Sequence, residues 1–427
     1  MVDSTGNIAV LQMGEPNPAK NAALAGVVLG VGGYGEYIQE IYGIRNGIHG
    51  LLEEDFIDLQ EEQRPTMEEL RSVGAPGLGA SVFAWAPASS PELLQTQMDK
   101  AFQVLEAHNI RYLIAIGGRE AQEAVLQLHA EAMKRGYDLR ANSVPVADSN
   151  ELPQTDHCPG YGTAAKRAIA AMRALESDLL ARKPGEVPCC VVETKGWFTG
   201  WDALAAAVGL RSGEIPCLAV IPERPVSLEG LVQKVEDKIR EKGCCVVVVP
   251  DGARGPDGQA WAKSGFGWDY LGQPVGGSAG ETVAEAAAAR LQAYVSRVRL
   301  PALLRWDAGP ASEKDLQEAY QCGEVVVQGS IHRQSGLMVK IQRPVLRPYR
   351  TFFLLHPIGE VLADWKRVPE EWYDSENMVP RDLFWDYLEP LLQGEVWMRF
   401  EKGVPAIPRL DAYPVPRKVD PTASAAS

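Results

Sequence analysis

Short apolar runs of strand type alternate with helical segments along most of this chain, and no other feature of the sequence constrains the fold as strongly. Such runs lie at residues 8–13, 112–116, 189–194 and 217–221, and each is followed by a helical segment. Runs of this kind are typical of parallel strands buried on both faces. The alternation predicts α/β domains with doubly wound, Rossmann-like parallel sheets. At 427 residues, the chain fits two such domains with a C-terminal extension.

The charge balance is acidic, with 42 basic and 56 acidic side chains and a formal net charge of -14. This argues against nucleic-acid partners and anionic membranes, because both need a basic face. The N-terminus lacks the charged and apolar segments of a secretory signal. The longest uncharged apolar stretch, around residues 21–33, is shorter than the roughly 20 residues that span a bilayer. We therefore expect a cytoplasmic protein.

The seven cysteines include two adjacent pairs, Cys189–Cys190 and Cys244–Cys245, in or beside apolar strand-like runs. Neighbouring strand residues point to opposite faces, so we interpret these cysteines as buried small hydrophobic residues rather than as bridges. No CxxC pattern and no Cys/His ligand spacing occurs, so the sequence predicts no zinc site.

Polar residues suited to chemistry follow the apolar run at 112–116. Gly117 and Gly118 lead through Arg119 and Glu120 into a helical pattern. The free backbone N–H groups of a helix N-terminus favour anions, phosphate above all. We therefore expect this turn to face a phosphate-bearing ligand.

A second polar cluster follows Pro145, and Pro153 within it helps to prevent the loop from becoming helical. Its polar members are Asp148, Ser149, Asn150, Glu151 and Asp156. Ligands of doubly wound sheets bind outside the carboxyl ends of the strands. The sequence therefore predicts that the chemistry lies between residues 112 and 157.

Several motifs are spread from the first strand to about residue 410. They are IYGIRNG at 41–47, AIGG at 115–118, the frame P....N.LP.TD across 145–156, PGYGTAAK at 159–166, VVE with G and GW across 191–201, PE at 222–223, SEKDLQEAYQCG at 312–323 and PYR at 348–350. Each motif alone is weak, but together they resemble the phosphofructokinase family, most closely its bacterial pyrophosphate-dependent branch.

The resemblance implies the two-domain phosphofructokinase fold. We expect residues 1–160 plus about 303–350 to form the first domain, on the donor side. Residues 161–302 plus about 351–412 are expected to form the second domain, on the sugar-phosphate side, together with the extension. Residues 413–427, which contain Pro and Ser, are expected to be a loose tail. The resemblance also implies homo- or hetero-oligomers with phosphofructokinase-type subunits, since family members share the 6-phosphate pocket across a subunit boundary.

In this family, an aspartate of the loop PKTxDND removes the proton of the sugar 1-hydroxyl, while the donor phosphate lies with magnesium on glycine-rich turns. The donor side then comprises Gly14, Glu15, Gly117, Gly118, Arg119 and Glu120. This sequence departs from the pattern at these points. Glu15 replaces a glycine, Val82 an arginine, and Arg119 and Glu120 replace acidic or small residues.

The loop that carries the base departs as well. Ser149 stands at the position of the catalytic aspartate, Glu151 at that of the second aspartate and Val146 at that of a lysine or glycine. A neutral hydroxyl is a poor base. Asp148, one position earlier, is either a displaced base or a solvated turn or cap residue, and we favour the second interpretation. His157 is interpreted as structural.

The sugar-phosphate side follows the family more closely. Glu223 matches the acceptor of a sugar hydroxyl, and Arg305 and Arg350 match cationic ligands of the 6-phosphate, with Tyr349 in the same motif. Lys195, Gly196 and Trp197 replace the family's MGR triplet, and Pro188 stands where many relatives carry another arginine.

Arg119 and Lys195 allow two roles. In the first, their positive charges bind a phosphate in place of magnesium. In the second, they neutralise the carboxylates of Glu15, Glu120 or Glu151. Aromatic residues near the C-terminus suggest either a carbohydrate platform or, as we favour, packing of the extension onto the main body. They are Trp365, Trp372, Tyr373, Trp385, Tyr387 and Trp397.

Three functions are therefore considered. The leading hypothesis is a phosphofructokinase-family protein that keeps a sugar-phosphate or phosphate pocket but has lost phosphoryl transfer, acts as a regulatory or assembly partner and needs no cofactor. The second is an active 6-phosphofructokinase of glycolysis that uses diphosphate or ATP with Mg²⁺ to convert fructose 6-phosphate to fructose 1,6-bisphosphate. The third is a purely structural subunit. No metal-ligand set is predicted from the residues.

Overall fold

The computed structural model describes residues 5–71, 74, 77–79, 81, 83, 85, 90–183, 185–262, 278–301, 309, 311–396 and 398–419. Val82, Arg305 and Trp397, singled out above, lie outside these residues. The strands of the two main sheets are β1 (Gly6–Gln12), β2 (Ile38–Ile44), β3 (Phe56–Asp58), β4 (Ile110–Gly117), β5 (Arg140–Pro145), β6 (Cys189–Thr194), β7 (Cys217–Ala219), β8 (Cys245–Pro250), β9 (Val295–Arg299), β10 (Leu337–Gln342) and β11 (Phe352–Pro357).

The helices come from the segments with helical periodicity and from shorter connections. They are α1 (Pro18–Gly30), α2 (Gly47–Glu53), α3 (Arg64–Leu70), α4 (Pro91–Ala107), α5 (Arg119–Arg135), α6 (Tyr161–Ala181), α7 (Trp201–Val208), α8 (Leu228–Lys242), α9 (Ala279–Leu291), α10 (Glu313–Ile331), α11 (Ile358–Val361) and α12 (Asp382–Leu388). None of the described helices is both long and apolar enough to cross a bilayer.

The first domain is built on a sheet with the strand order β11-β10-β5-β4-β1-β2-β3. The five inner strands run parallel, whereas β3 and β11 pair antiparallel at the two edges. Ile8–Leu11 and Leu113–Ile116 of the central strands are buried on both faces, as the apolar runs predict. The parallel core is therefore confirmed, and the antiparallel edges differ from the prediction.

Helices cover both faces of this sheet. α1 and α10 share one apolar core with it, and α4 and α5 share the core on the opposite face. The backbones of α1 and α10 approach so closely that a Cβ on Gly26 would clash with the carbonyl oxygen of Tyr320, and one on Gly323 with that of Ala23. Only glycine permits this approach. The predicted doubly wound arrangement is confirmed.

The second domain contains a parallel sheet with the order β7-β8-β6-β9. Cys189, Cys190 and Cys245 are buried free thiols in its strands, which confirms their interpretation as small hydrophobic residues. In this domain α9 ends at Leu291, because Gln292 adopts the left-handed conformation that terminates helices.

One strand of the first sheet lies beyond the domain boundary expected at about residue 350. β11 pairs antiparallel with β10 in the first sheet, although residues 351–412 were assigned to the second domain. The two strands are close in sequence and form a hairpin at the edge of the sheet, so this pairing needs no crossover. The rest of the extension, including Tyr373, Phe384 and Tyr387, packs on the core of the second domain, as we favoured for its aromatic residues.

Residues 413–419 of the segment expected to be a loose tail are held against the first domain. Asp58 N–H donates to the carbonyl of Tyr413 at 2.8 Å, and Val415 N–H donates to that of Phe56 at 2.9 Å. The Glu54 carboxylate accepts the backbone N–H of Val419 at 3.2 Å. Residues 413–415 therefore extend the sheet along β3, a long-range contact that local composition does not reveal.

Candidate active site

Residues from both domains meet at the carboxyl ends of β1, β5 and β6, where doubly wound folds bind ligands. A small cavity of about 60 Å³ lies there, and its lining includes Glu15, Asp148, Lys195 and Asp202. The turn after β1 requires glycine, since Gly14 has φ +77°.

Lys195, directly after β6, joins the two domains through an ion cluster. Its Nζ pairs with the Glu15 carboxylate and lies 3.3 Å from Oδ2 of Asp148. Oδ1 of Asp148 accepts a 2.9 Å hydrogen bond from Nδ2 of Asn17, which also caps α1. The structure thus places Asp148 in a cluster of charges rather than in a solvated turn. Of the two roles considered for Lys195, its contacts match neutralisation of Glu15.

A second lysine, which the sequence reasoning missed, lies beneath the first turn. Nζ of Lys20 donates to the carbonyl of Glu15 at 2.6 Å and to that of Met13. Burial lowers the pKa of Lys20, although the charges of Glu120 and Asp148 oppose this shift. The signal available in the sequence was that Lys20 is the one charged residue of the apolar segment 18–30.

Glu120 turns back onto the start of its own helix. Its Oε1 accepts a 3.3 Å hydrogen bond from Gly118 N–H, and the same oxygen lies where a Cβ on Gly14 would clash with it. The N–H groups at a helix N-terminus attract anions. Here the anion is the Glu120 carboxylate, which lies between the Gly14 turn and the Gly117–Gly118 turn, where the sequence predicted a phosphate.

Arg119 points away from this turn. Its guanidinium donates to the carbonyls of Leu362 at 2.6 Å and Asp364 at 3.1 Å and lies 4.5 Å from the ring centre of Trp365. It also pairs with Glu123, one turn along α5. These contacts direct Arg119 towards the extension, while its charge also opposes the rise that burial causes in the pKa of Glu151, as expected of the neutralising role considered for it.

The loop after β5 is joined to the Gly117 turn, since Val146 N–H donates to the carbonyl of Gly117 at 3.1 Å. Ser149 forms a side-chain hydrogen bond with Glu151, in which the serine hydroxyl is the donor to an ionised carboxylate. Burial and then the charge of Glu120 raise the pKa of Glu151 to about 7. Ser149 thus acts as a hydrogen-bond donor where the family has its base.

Two further acids stand at the same edge, and the sequence reasoning missed both. Burial raises the pKa of Asp202 well above the usual carboxyl range. Burial and then the charge of Glu193 raise the pKa of Asp251 to about 6. Their positions could have identified them as candidate site residues, since Asp202 lies at the start of α7 and Asp251 directly follows β8. Among the described residues, the cavity is thus lined by three carboxyl groups, those of Glu15, Asp148 and Asp202, and by the cations of Lys195 and Arg167.

The sugar-phosphate residues are only partly brought together. Oε1 of Glu223 accepts hydrogen bonds from Gly200 N–H at 3.0 Å and Val368 N–H at 3.1 Å, while its buried Oε2 has no hydrogen-bond partner among the described residues. Gly196 adopts φ +136°, which favours glycine, and Trp197 is exposed. Arg350 is exposed as well, and Arg305 lies outside the described residues.

Tyr349 belongs to a buried charge network behind the loop. His157 lies between Asp156, 2.8 Å from Nδ1, and Glu318, 2.8 Å from Nε2. The Tyr349 hydroxyl donates to Glu318 at 2.8 Å, and Arg343 lies 3.3 Å from Asp156. Burial would lower the pKa of His157, but the two carboxylates outweigh it and raise the pKa to about 9. The contacts agree with a structural role for His157 and give Tyr349 one as well.

The residues present do not fit the magnesium that the family implies. No group of three or more Asp, Glu, His or Cys side chains in the described parts of the chain is arranged to hold a metal ion. The ammonium group of Lys195 already lies between the carboxylates of Glu15 and Asp148. A cation of the protein thus occupies the place where these carboxylates would meet a metal.

We expect the Lys195→Met variant to lose about 1–3 kcal/mol of unfolding free energy, because Glu15 and Asp148 would keep partly buried charges without their cation. Urea unfolding measures this loss. Lys183→Met is the matched control, since Lys183 is exposed, and it should change stability by less than about 0.5 kcal/mol. Equal stability of the two variants would contradict the role given to the ion cluster.

Comparisons with known proteins agree with this geometry. The family profile described as Phosphofructokinase matches residues 7–328. Two proteins named pyrophosphate–fructose 6-phosphate 1-phosphotransferase, from Halomonas elongata and Methylococcus capsulatus, are each 30% identical to 97% of this chain and are covered over 98% of their own lengths. The crystal structure of the pyrophosphate-dependent phosphofructokinase from Nitrosospira multiformis superposes with a TM-score of 0.86 at 26% identity, over 97% of this chain and 98% of that one. The chain belongs to the phosphofructokinase family.

Proposed function

We propose that this protein binds a sugar phosphate on the phosphofructokinase scaffold without rapid phosphoryl transfer, and that it acts as a regulatory or assembly partner of phosphofructokinase-type subunits. The observation that carries the proposal is the Glu120 carboxylate on Gly118 N–H, beside Gly14. A donor phosphate would have to displace a negative charge that is covalently attached to the same helix. It would then face Glu15 and Asp148 as well.

The base position supports the same proposal. Ser149 is neutral and donates a hydrogen bond to Glu151, so it is a poor acceptor for the proton of a sugar hydroxyl. Loss of a general base typically lowers a rate by about a hundredfold to ten-thousandfold. The loss of electrostatic stabilisation of the donor costs a comparable factor. The two effects together remove most phosphoryl transfer.

The proposed sugar site rests on Glu223. Its Oε2 is buried and lacks a hydrogen-bond partner among the described residues, whereas its Oε1 is fixed by two backbone N–H groups. An unsatisfied buried carboxylate oxygen costs free energy, which a donor from a ligand would recover. A sugar hydroxyl is such a donor.

An active diphosphate-dependent 6-phosphofructokinase is the second candidate, and the names of the relatives favour it. The Halomonas and Methylococcus proteins match almost the whole chain, and both names state a transfer from pyrophosphate to fructose 6-phosphate. In this case Asp148, which contacts Asn17 and Lys195, would be the base. The names thus favour this second function, while the contacts of the site favour the first.

A coupled assay with fructose 6-phosphate separates the candidates. Turnover with diphosphate or ATP at the rate of an active bacterial relative, abolished by Asp148→Asn, would establish the second function. No turnover with either donor, together with a thermal shift by fructose 6-phosphate, is expected for the first. Absence of both turnover and thermal shift would leave a purely structural subunit.

We expect Glu223→Gln to weaken fructose 6-phosphate binding by about tenfold to a hundredfold, because a hydrogen bond to a charged acceptor is worth about 1.5–3 kcal/mol. The concentration dependence of the thermal shift measures the affinity. Glu229→Gln removes an exposed carboxylate from α8 of the same domain and should leave binding unchanged. An unaltered affinity of Glu223→Gln would place the sugar elsewhere.

A further inference from the structure

Residues 362–368 of the C-terminal extension, here called the strap, contact residues of both domains at the site described above. Leu362 and Asp364 accept hydrogen bonds from Arg119 at the start of α5. Lys366 contacts the loop after β5, and Val368 contacts Glu223 in the second domain. The strap therefore runs from the donor side to the proposed sugar site.

An aromatic stack holds the first part of the strap. The ring of Trp365 lies 4.2 Å from that of Phe198, at an interplanar angle of 26°, and the Arg119 guanidinium lies 4.5 Å from the ring centre of Trp365. Phe198 follows β6 in the second domain, while Arg119 begins α5 in the first. The stack therefore links both domains through one residue of the strap.

Lys366 fixes the second part. Its backbone N–H donates to the carbonyl of Glu151 at 2.9 Å, and its own carbonyl accepts the indole N–H of Trp201 at 2.7 Å. Its Nζ donates to the carbonyl of Asp156 and lies 3.3 Å from Oδ1 of Asn150. One residue thus contacts the loop at three positions and the second domain at one.

The loop needs this support because Asn150 has φ +51°, in the left-handed region. The Asn150 side chain is held on several sides, since its Oδ1 also accepts Cys158 N–H at 3.0 Å and its Nδ2 donates to the Tyr387 hydroxyl at 2.9 Å. Burial lowers the pKa of Lys366 to about 8. A desolvated ammonium interacts strongly with the dipoles that it faces.

We propose that Lys366 is a positioning residue that couples ligand occupancy at Glu223 to the conformation of residues 148–156. This coupling rests on the proposed sugar site. Val368 N–H binds the same carboxylate that would accept the sugar hydroxyl, and only Arg367 separates Val368 from Lys366. A segment of three residues spans about 10 Å at most, so a shift of Val368 is transmitted to Lys366 and from there to the loop.

Hydrogen–deuterium exchange of the peptides that cover residues 148–156 tests the proposal. In wild type, fructose 6-phosphate should slow this exchange. In Lys366→Met without ligand, exchange should be at least about tenfold faster, because the hydrogen bonds of the ammonium group are lost. The variant should still show the thermal shift with fructose 6-phosphate but a much smaller slowing in the loop, because only the backbone contact with Glu151 remains.

Lys234→Met is the matched control, since Nζ of Lys234 also donates to a backbone carbonyl of the extension, that of Glu376 at 2.8 Å, but on the surface. In Lys234→Met, residues 148–156 should exchange at the wild-type rate. Equal ligand-dependent protection of the loop in wild type and in Lys366→Met would overturn the coupling, whatever the effect on stability.

Failure of the proposed function gives a different result, namely no thermal shift of wild type with fructose 6-phosphate. In that case, the coupling is tested without ligand by measuring exchange in Glu223→Ala, a variant that removes the acceptor of Val368 N–H. This variant should speed exchange at residues 148–156 more in the wild-type background than in the Lys366→Met background. Identical effects of Glu223→Ala in the two backgrounds would overturn the coupling independently of the sugar.

Discussion

Replacing Glu120 with Ser and Ser149 with Asp in one chain is expected to raise phosphoryl transfer from diphosphate to fructose 6-phosphate by about a hundredfold to ten-thousandfold over wild type. The first change removes the carboxylate that binds Gly118 N–H and frees the helix N-terminus for a phosphate. The second places a carboxylate at the family's base position. A coupled assay of fructose 1,6-bisphosphate formation, with magnesium supplied, measures the gain.

Each single variant serves as a control for this double variant. Glu120→Ser alone should gain affinity for diphosphate, and Ser149→Asp alone should remain slow because the donor site is still filled. A double variant as slow as wild type would contradict the view that these two positions limit transfer. Wild type that is already fast, and is inactivated by Asp148→Asn, would instead support the enzymatic alternative.

His157→Leu is expected to lower the unfolding free energy by about 3–5 kcal/mol, the loss typical when one partner of a buried ion pair is removed. The change leaves Asp156 and Glu318 without the imidazolium between them. Denaturant unfolding measures the effect. His129→Leu is the matched control, because the half-buried His129 contacts the neutral Ser335 hydroxyl, and it should cost about 1 kcal/mol.

The pH dependence gives the same network a second test. The folded-state pKa of His157 is raised to about 9, whereas the pKa of an unfolded histidine is about 6.5. The stabilisation is therefore complete below about pH 6.5 and is lost as the pH rises towards about 9. It amounts to about 3 kcal/mol. Stability of wild type that stays constant over this range, or that falls equally in His157→Leu, would contradict the network.

Much of the scaffold was predictable because its signals are local. The apolar run at 112–116 specifies a strand buried on both faces, and the residues after Gly118 specify a helix. Ser149 could be read as a poor base from its chemistry alone. The family resemblance supplied the relation between the two domains, which the sequence pattern does not contain.

The contacts that fill the site were not predictable, because they join residues that are distant in sequence. Arg119 donates to Leu362, 243 positions away, and no periodicity links the two. The pairing of Lys195 with Glu15 depends on how the two domains approach each other. Even the short-range contact of Glu120 with Gly118 required a rotamer, which the sequence does not specify.

The strands of the first sheet come from two parts of the sequence that flank the second sheet, and this affects the order of folding during protein synthesis. Its strands come from residues 6–145 and then from 337–357, and residues 413–415 line its outer edge, so the ribosome must make nearly all of this sequence before the sheet closes. The second sheet is complete once Arg299 has emerged. The second sheet is therefore expected to form before the first is complete, while the unpaired edges of β3 and β5 await their partners and are open to chaperones or to aggregation.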